Sequence, residues 1–343
     1  MLKEIEREIA RHFSLKWSKK DILFWMGKSR FDIDVLSLDK NLREPIKDFI
    51  LRGGKRWRPI LFLTTLKLLG LDWKKYIDIA FAIELAHNAT LIIDDIEDSA
   101  DLRRGKPTCH KIFGVDIAVN AGNTIYFLPI KILQERNYKN NQQKLKVLQI
   151  YSEEMINVHF GQALDITWHR KPHLIKIKQY MEMTRLKTGG LIRMAGRMAC
   201  VMANKENLEK YIIRFSELAG IAFQIKDDAL ELESSEEVFG KSFGNDISEG
   251  KISLPVIFAL QELTPNKKDR LLKILSLHTK EKELLKEAVD MIKESGAVGT
   301  SLKYADNLID SAWQEIEIHL PKNRKEALED FKKITYFLVK RSK

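Results

Sequence analysis

Apolar residues recur at intervals of three and four along nearly the whole chain. The pattern is clearest at 81–98 (FAIELAHNATLIIDDIED), 191–203 and 214–232. This spacing places apolar side chains on one face of an α-helix, whereas runs that alternate apolar and polar residues, as strands do, are absent from the sequence. The pattern therefore predicts an all-α protein.

Few segments interrupt the helical pattern. The predicted loops are 135–144, 234–246, 263–269 and 294–301. Pro59 and Pro255 fit the first turn of a helix. Neither a fixed-period repeat nor a low-complexity linker marks a boundary, so we expect one domain over residues 1–343, with residues 1–30 as an N-terminal helical extension.

Composition narrows the class of protein. The 343 residues are 44% hydrophobic, which is ample for a core, and they include two cysteines, Cys109 and Cys200. Two cysteines form neither a disulfide framework nor a metal motif, so we expect a reducing, cytoplasmic setting. The longest charge-free run, Ile117–Ile130, is too short to span a membrane. The net charge of +10 fits nucleic acid, a membrane surface or a polyanionic small molecule.

Two clusters of acidic residues each end an apolar helical segment, at 94–98 and 227–231. Residues four apart share a helix face, so each cluster directs two carboxylates the same way. Carboxylates this close repel one another, and their oxygens are ligands that Mg²⁺ prefers. Two solvated helix faces are the alternative, and the repetition of the cluster favours metal. The candidate ligands are Asp94, Asp98, Asp227 and Glu231, with Asp95 and Asp228 beside them.

Basic residues accompany both clusters. In the segment 53–59 (GGKRWRP), cations follow two glycines and precede a helix start, a setting that binds phosphate. Arg103 and Arg104 follow the first acidic cluster, and Lys187 lies in KTGG, which by itself could be a plain helix break. The combination predicts two anionic groups, one held through metal and one held directly by Lys and Arg.

Six motifs, GGKRWRP, LIIDDIEDSADLRRG, GQALD, KTGGL, FQIKDD and GKSFGNDISEGKISLP, follow one another between about residues 53 and 260. In order and spacing they resemble the trans-isoprenyl diphosphate synthases, the polyprenyl synthetase family, and most of all its eukaryotic-type geranylgeranyl diphosphate synthases. The resemblance implies the isoprenoid synthase fold, a single-domain helical bundle around a deep central cavity. It also implies a homodimer or an assembly of dimers.

The resemblance implies roles for individual residues. Magnesium, roughly three ions with some brought by substrate, would be held mainly by Asp94, Asp98 and Asp227, with support from Asp95, Asp228 and Glu231. Glu231 stands where the family often has Asp. Isopentenyl diphosphate would be held by Gly54, Lys55, Arg58, His87 and Arg104. The allylic diphosphate would be held by Arg103, Lys187, Thr188, Gln224, Lys241 and Lys251.

The implied reaction is head-to-tail condensation of isopentenyl diphosphate with an allylic diphosphate, by ionisation, condensation and elimination. Mg²⁺ and Lys187 would stabilise charge on the leaving diphosphate. That diphosphate can accept the released proton, so no dedicated base is required. His87, alternatively a satisfied core histidine, lies two turns before Asp94 on the same face, which favours the binding role.

Product length should depend on the depth of the pocket beneath Asp94. Ala86, Ala89 and Thr90, upstream on the same helix, are too small to stop a growing chain. By resemblance Tyr126, Phe127 and His159 would close the pocket, which predicts a twenty-carbon product. The two aromatics could instead be ordinary core residues.

Several alternatives stay open. The enzyme could make longer chains, of C25 or more, or the protein could be a terpene cyclase or a non-catalytic partner subunit. A cyclase needs no second diphosphate pocket, and a partner subunit would be expected to lose part of an acidic motif. The basic, aromatic segment 12–31 could contact a membrane surface, or form an extra helix that covers the bundle or a dimer interface. No basic patch with interleaved aromatics indicates nucleic acid elsewhere.

Overall fold

A computed structural model describes residues 1–13, 15–233 and 244–339. The chain forms two compact units, residues 1–152 with 194–206, and residues 153–193 with 207–343. Most of the described chain is α-helical, which confirms the all-α prediction. The expectation of a single domain stays a prediction.

Among the described residues, eight helices lie entirely within the first unit. They are α1 (Leu2–Phe13), α2 (Lys19–Met26), α3 (Val35–Leu38), α4 (Glu44–Ile50), α5 (Trp57–Leu69), α6 (Ile77–Glu97), α7 (Cys109–Phe113) and α8 (Val115–Glu135). A π-helical turn, Asp39–Arg43, joins α3 to α4, and a 3₁₀ turn, Trp73–Tyr76, leads into α6. Two short strands, β1 (Leu102–Arg103) and β2 (Lys106–Pro107), pair antiparallel after α6.

Two long helices, α9 (Asn141–Arg170) and α10 (Ile177–Met202), contribute residues to both units. The second unit continues after a 3₁₀ turn at Glu206–Leu208. Its further helices are α11 (Glu209–Glu233), α12 (Asn245–Ser248), α13 (Leu254–Glu262), α14 (Pro265–Ser276), α15 (Lys282–Glu294), α16 (Ala297–Glu317) and α17 (Lys325–Val339).

In the first unit the central helix is α6. It packs against α1, α5 and α8, and its apolar residues are buried along most of its length. α1 shows why the N-terminal extension folds onto it: Ile5, Ile9 and Phe13 recur every four residues and are fully buried, while charged residues occupy most of the other positions. Helices α1 and α2 account for most of residues 1–30.

The segment Trp73–Glu97 is long and apolar enough to cross a membrane, with a mean hydropathy of 1.4 over its best window. It nevertheless buries two carboxylates, Glu84 and Asp95, and 61% of that window lies inside the protein. These features are those of a core helix.

The predicted loops are partly confirmed. α8 ends at Glu135 and α9 begins at Asn141, within the predicted 135–144. The loops at 263–269 and 294–301 are shorter than expected, because helices begin at Pro265 and Ala297. Residues 234–243 of the remaining loop lie outside the described part of the chain.

Candidate active site

The first acidic cluster lies at the C-terminal end of α6, with Asp98 as the residue that ends the helix. The unsatisfied carbonyls there give the helix terminus a partial negative charge. Carboxylates at such a position are repelled by the helix as well as by one another. The arrangement therefore requires nearby cations.

Arg103 supplies one of those cations. Its Nε lies 2.7 Å from Asp95 Oδ1, and its Nη2 lies 3.9 Å from Asp94 Oδ2. Asp95 is fully buried, and burial raises its pKa to about 6 although Arg103 opposes the shift. Asp95 therefore supports the cluster from inside the protein, while Asp94 and Asp98 are partly exposed.

The donor set of this cluster fits Mg²⁺. It consists of carboxylate oxygens, and the buried Oδ2 of Asp95 has no hydrogen-bond partner. Within residues 1–13, 15–233 and 244–339, no three His, Cys, Asp or Glu side chains are already grouped to hold a metal. Water or substrate oxygens would have to complete the shell.

A tight hairpin after α6 directs the two arginines. Its turn residues, Arg104 and Gly105, have φ values of 54° and 74°, as a two-residue turn between antiparallel strands requires. Positive φ is unfavourable for arginine, and such strain is found at functional positions. Arg52 secures the hairpin by donating from Nη1 to the Pro107 carbonyl at 2.8 Å.

Arg104 reaches back to the glycine loop and donates to the Gly53 carbonyl. Gly54, with φ of 142°, lies so close that an added Cβ would be 2.9 Å from Arg104 Nη2. The two glycines thus admit the guanidinium beside the backbone of the loop. The same loop carries Lys55, which is exposed.

His87 and Arg58 form the buried part of this cationic cluster. Arg58 Nη1 lies 3.1 Å from His87 Nε2, and the Arg58 guanidinium stacks 4.2 Å from the centre of the Trp57 ring. Burial lowers the pKa of His87 far below its usual value, and the surrounding arginines, Arg58 first, lower it further. The histidine is therefore neutral near pH 7.

The hydrogen-bond pattern assigns the His87 proton. Arginine only donates, so His87 Nε2 accepts and Nδ1 carries the hydrogen. Neither His87 Nδ1 nor Arg58 Nε has a hydrogen-bond partner in the part of the chain that the structure describes. Buried donors without partners are rare, and a phosphate oxygen would satisfy both. The first unit therefore contains a site suited to an oxyanion.

In the second unit, glycines bring the functional helices close together. An added Cβ at Gly161 on α9 would lie 2.8 Å from Lys187 Cα on α10, and one at Gly220 on α11 would lie 2.8 Å from Gly189 Cα. α10 runs unbroken through KTGG, so these glycines permit close helix contact and do not break the helix.

Lys187 on α10 is held by Asp165 on α9, with 2.6 Å between Nζ and Oδ2. Burial alone would raise the pKa of Asp165, but Lys187 and then Lys251 lower it below its ordinary value. Asp165 is therefore an anion that orients the lysine. It lies in GQALD, yet the sequence had not singled it out.

A hydrogen-bonded chain links the next residues of the second unit. Thr188 Oγ1 donates to Gln224 Oε1 at 2.8 Å, and Gln224 Nε2 donates to Asp228 Oδ1 at 2.8 Å. The buried Tyr180 hydroxyl donates to Asp228 Oδ2, also at 2.8 Å. Burial, and next the charge of Asp246, raises the pKa of Asp228. Tyr180 was not expected from the sequence.

The second acidic cluster meets the loop that follows it. Glu231 Oε1 accepts from the Asp246 backbone N–H at 2.8 Å, and Lys251 Nζ lies 3.3 Å from Asp246 Oδ1. Burial, and next the charge of Asp246, raises the pKa of Glu231. Asp227 is partly exposed and so accessible to a metal ion. Lys241 lies outside the described residues.

The residues expected to set product length have unequal surroundings. Ala86 and Ala89 are buried, and Thr90 is half-buried with its hydroxyl bonded to the His87 carbonyl. Burial raises the pKa of Tyr126, and Glu97 and Asp94 raise it further, so this phenol lies within electrostatic reach of the acidic cluster.

Phe127 and His159 differ from that expectation, because both are exposed in the single chain. Successive residues on a helix diverge by about 100°, so α8 cannot direct both Tyr126 and Phe127 inward. Phe127, 67% exposed, can close a pocket only if another surface covers it.

A model of the polyprenyl synthetase family matches residues 39–292. The chain belongs to the polyprenyl synthetase family. A short chain isoprenyl diphosphate synthase of Methanocaldococcus jannaschii is 37% identical over 258 residues, covering 75% of this chain and 78% of that protein. A geranylgeranyl pyrophosphate synthase of Dictyostelium discoideum is 35% identical over 290 residues, covering 84% and 91%.

The crystal structure of geranylgeranyl pyrophosphate synthetase from Pyrococcus horikoshii superimposes on this polyprenyl synthetase with a TM-score of 0.84 and 31% identity. The match covers 99% of this chain and 96% of the other. The all-α isoprenoid synthase fold inferred from the motifs is thus confirmed, as is the family. A polyprenyl synthase from Caulobacter crescentus, complexed with calcium and isoprenyl diphosphate, has a TM-score of 0.80.

Proposed function

We propose that this polyprenyl synthetase is a magnesium-dependent trans-prenyltransferase that condenses isopentenyl diphosphate with allylic diphosphates to make geranylgeranyl diphosphate. The observation that carries the proposal is the pairing, within the first unit, of an acidic helix end with an oxyanion site. Arg103 joins the two, since it contacts Asp95 and adds to the positive potential at His87. Curated relatives named geranylgeranyl pyrophosphate synthase support the product.

Magnesium would be held by Asp94 and Asp98 in the first unit and by Asp227 in the second, with Asp95, Asp228 and Glu231 in support. When bound, it supplies charge stabilisation to the departing diphosphate. We propose roughly three ions, partly delivered by substrate oxygens. Titration of Mn²⁺ with and without inorganic diphosphate tests this point: stoichiometry should rise when diphosphate is present, and equal stoichiometry would contradict it.

The protein's own side chains bind and orient the two substrates. In the first unit, Lys55, Arg58, Arg104 and the Nδ1–H of His87 fit the diphosphate of isopentenyl diphosphate. In the second unit, Lys187, oriented by Asp165, fits the allylic diphosphate with Lys251. Thr188 and Gln224 are tied to Asp228 by hydrogen bonds, so they position that carboxylate.

The reaction then needs little proton chemistry from the protein. The allylic carbon–oxygen bond breaks, leaving an allylic cation and diphosphate. The double bond of isopentenyl diphosphate attacks that cation, a carbon–carbon bond forms, and the resulting cation loses a proton to the departed diphosphate. Lys187 stabilises the leaving oxygens, and apolar helix faces must exclude water.

Product analysis tests the proposal. Purified protein is incubated with Mg²⁺, isopentenyl diphosphate and an allylic primer of five, ten or fifteen carbons, and the dephosphorylated alcohols are weighed by mass spectrometry. A twenty-carbon alcohol from every primer is expected. Asp94→Asn should abolish it, whereas Asp101→Asn, which changes an exposed aspartate 3.1 Å from Lys111, should not.

Other products would support one of the alternative functions. Alcohols of twenty-five carbons or more would indicate a longer-chain synthase, a cyclised hydrocarbon a cyclase, and no product a partner subunit. The oxyanion site at Arg58 and His87 favours the synthase over the cyclase.

Tyr126 tests the origin of product length. Tyr126→Ala should lengthen the product, because its phenol lies near Asp94 on the buried side of α8. Phe127→Ala should do so only if a second copy of the chain covers that exposed ring. Unchanged products from both variants would contradict the assignment of this floor.

A homodimer is proposed as the functional form. Large apolar side chains are exposed in both units, among them Phe127 and Leu145 in the first and Ile156 and Phe160 in the second. Sedimentation equilibrium should give twice the 39.8 kDa mass of the chain. A monomer at micromolar concentration would contradict this form.

We also propose a cytoplasmic enzyme with peripheral membrane contact. The cysteines are free and buried, and the segment after α1 exposes Leu15, Met26 and Phe31 among lysines. Cosedimentation with anionic vesicles, compared with neutral vesicles, tests the contact. Equal recovery in the supernatant would exclude it.

A further inference from the structure

Arg56 lies in the middle of GGKRWRP but is not free to bind substrate. Its side chain is fully buried, and every nitrogen of the guanidinium has a partner. Nη1 donates to Glu84 on α6 at 2.7 Å, Nη2 to the Ile50 carbonyl at 2.5 Å, and Nε to Glu6 on α1 at 2.8 Å. Burial would lower the pKa of Arg56, but Glu84 and Glu6 raise it above its usual value.

The backbone at Arg56 is strained in the same place. Its φ is 46° and its ψ 29°, in the left-handed region, and it is the residue that starts α5 without a side-chain cap. A non-glycine residue in this conformation persists only where its surroundings hold it. The three hydrogen bonds of the guanidinium provide that restraint.

The conformation of Arg56 determines where its neighbours point. Lys55 precedes it and Arg58 follows by two residues, so the placement of these two cations depends on this turn. Glu84 Oε1 accepts hydrogen bonds from Arg56 and from Asn88 Nδ2. Burial lowers the pKa of Arg58 and of Arg104, and the charge of Glu84 opposes that shift. It is the buried counter-charge of the cluster.

We propose that α1 is a positioning element of the isopentenyl diphosphate site, acting through Glu6 on Arg56. α1 is anchored on the core by Ile5, Ile9 and Phe13, so its carboxylate is presented to the loop from a fixed support. The N-terminal extension thereby helps to hold the loop 53–58 in its binding conformation. The identity of the substrate rests on the proposed function, whereas the ordering of the loop does not.

Glu6→Gln, which removes the charge and keeps the shape, tests this role against Glu4→Gln on the same helix. Glu4 pairs with Arg7 at the surface. We expect Glu6→Gln to raise the KM for isopentenyl diphosphate about three- to tenfold, the range for a weakened charged hydrogen bond. The KM for the allylic primer and kcat should stay within about twofold. Glu4→Gln should match the wild type.

Hydrogen exchange provides a readout that does not require turnover. Amides of residues 53–58 should exchange faster in Glu6→Gln than in the wild type, while those of α6 should not change. Equal exchange and an equal KM would overturn the proposal. A lower kcat, a lower melting temperature and a similar rise in both KM values would also overturn the proposal, because together they would indicate a purely structural role.

The two proposals fail in different ways. If the wild type made no prenyl chain but Glu6→Gln still loosened residues 53–58, the proposed function would fail and the positioning role would stand. If the wild type were active and the loop indifferent to Glu6, only the positioning role would fail. Glu6→Asp keeps the charge on a shorter side chain. Its KM for isopentenyl diphosphate and its amide exchange at residues 53–58 should lie between those of the wild type and Glu6→Gln.

Discussion

Asp95 and Asp165 are both deeply placed aspartates, yet their surroundings move their pKa values in opposite directions. For Asp95 the burial cost exceeds the help from Arg103, and its pKa rises to about 6. For Asp165 two lysines outweigh burial, and its pKa falls. Residue type alone does not distinguish a carboxyl whose pKa is raised by burial from one whose pKa is lowered by neighbouring lysines.

Tyr180 provides a prediction at the same scale. Tyr180→Phe removes the hydroxyl that donates to Asp228, a bond that lowers the pKa of this carboxyl. The KM for the allylic diphosphate should rise about tenfold, as for loss of a hydrogen bond to a charged group. The acid side of the pH–rate profile should move to higher pH. Steady-state kinetics across pH measures both effects.

Tyr336→Phe is the matched control. It deletes another tyrosine-to-aspartate hydrogen bond of the second unit, 3.0 Å from the hydroxyl to Asp310 Oδ1, on helices that carry none of the assigned residues. Its pH profile should equal that of the wild type. Equal shifts in both variants would show that Tyr180 acts on stability alone.

At the scale of helices, glycine decides how closely α9, α10 and α11 approach. Gly161 and Gly220 each face another backbone, where even a methyl group would overlap. Packed interiors do not absorb such overlaps cheaply. The glycines of the motifs GQALD and KTGGL therefore permit close helix contact, while other residues of the same motifs are candidates for substrate binding.

Gly161→Ala should destabilise the protein by about 1–3 kcal/mol, the usual range for overpacking, and should reduce kcat by displacing Lys187. Gly299→Ala is the control, because its added Cβ on α16 meets nothing within 4 Å. That change should be neutral or stabilise by up to about 1 kcal/mol. Thermal unfolding of both variants tests the pair, and equal melting temperatures would contradict the close contact.

At the scale of the whole molecule, the protein buries several carboxyls whose pKa values are raised, including Asp95, Asp228 and Glu231. The native state thus keeps protons at pH values where the unfolded chain, with carboxyl pKa near 4, has released them. In the absence of a cation, the contribution of these carboxyls to stability therefore falls as pH rises from about 4 through their raised pKa values.

Magnesium should reverse this dependence, because it binds only the deprotonated carboxylates. The rise in melting temperature caused by Mg²⁺ with inorganic diphosphate should be several degrees larger at about pH 8 than at about pH 5.5. KCl of equal ionic strength serves as the control. An increase that does not depend on pH would show that these carboxyls do not take part.

Much of the fold and many of the candidate site residues could be predicted from the sequence. Helical periodicity is a local property, so α6, α10 and α11 were predictable, and the motifs identified the family and most candidate ligands. Lys187 and Thr188 were recognisable as candidate binding residues because they lie within the motif KTGGL. Glu84, Asp165 and Tyr180 were not, because each acts on a residue distant in sequence.

The sequence by itself determined the helices, the family and which residues carry charge. Only the tertiary structure decided which charges meet. Arg56 is paired with Glu6 and Glu84, whereas Arg58 Nε has no partner among the described residues. The tertiary structure also decided that Tyr126 is half-buried while Phe127 is exposed. The physical reason is the sequence separation over which each kind of interaction acts. Periodicity and turn chemistry act over a few residues, whereas burial and electrostatic pairing depend on side chains that folding brings together from distant positions.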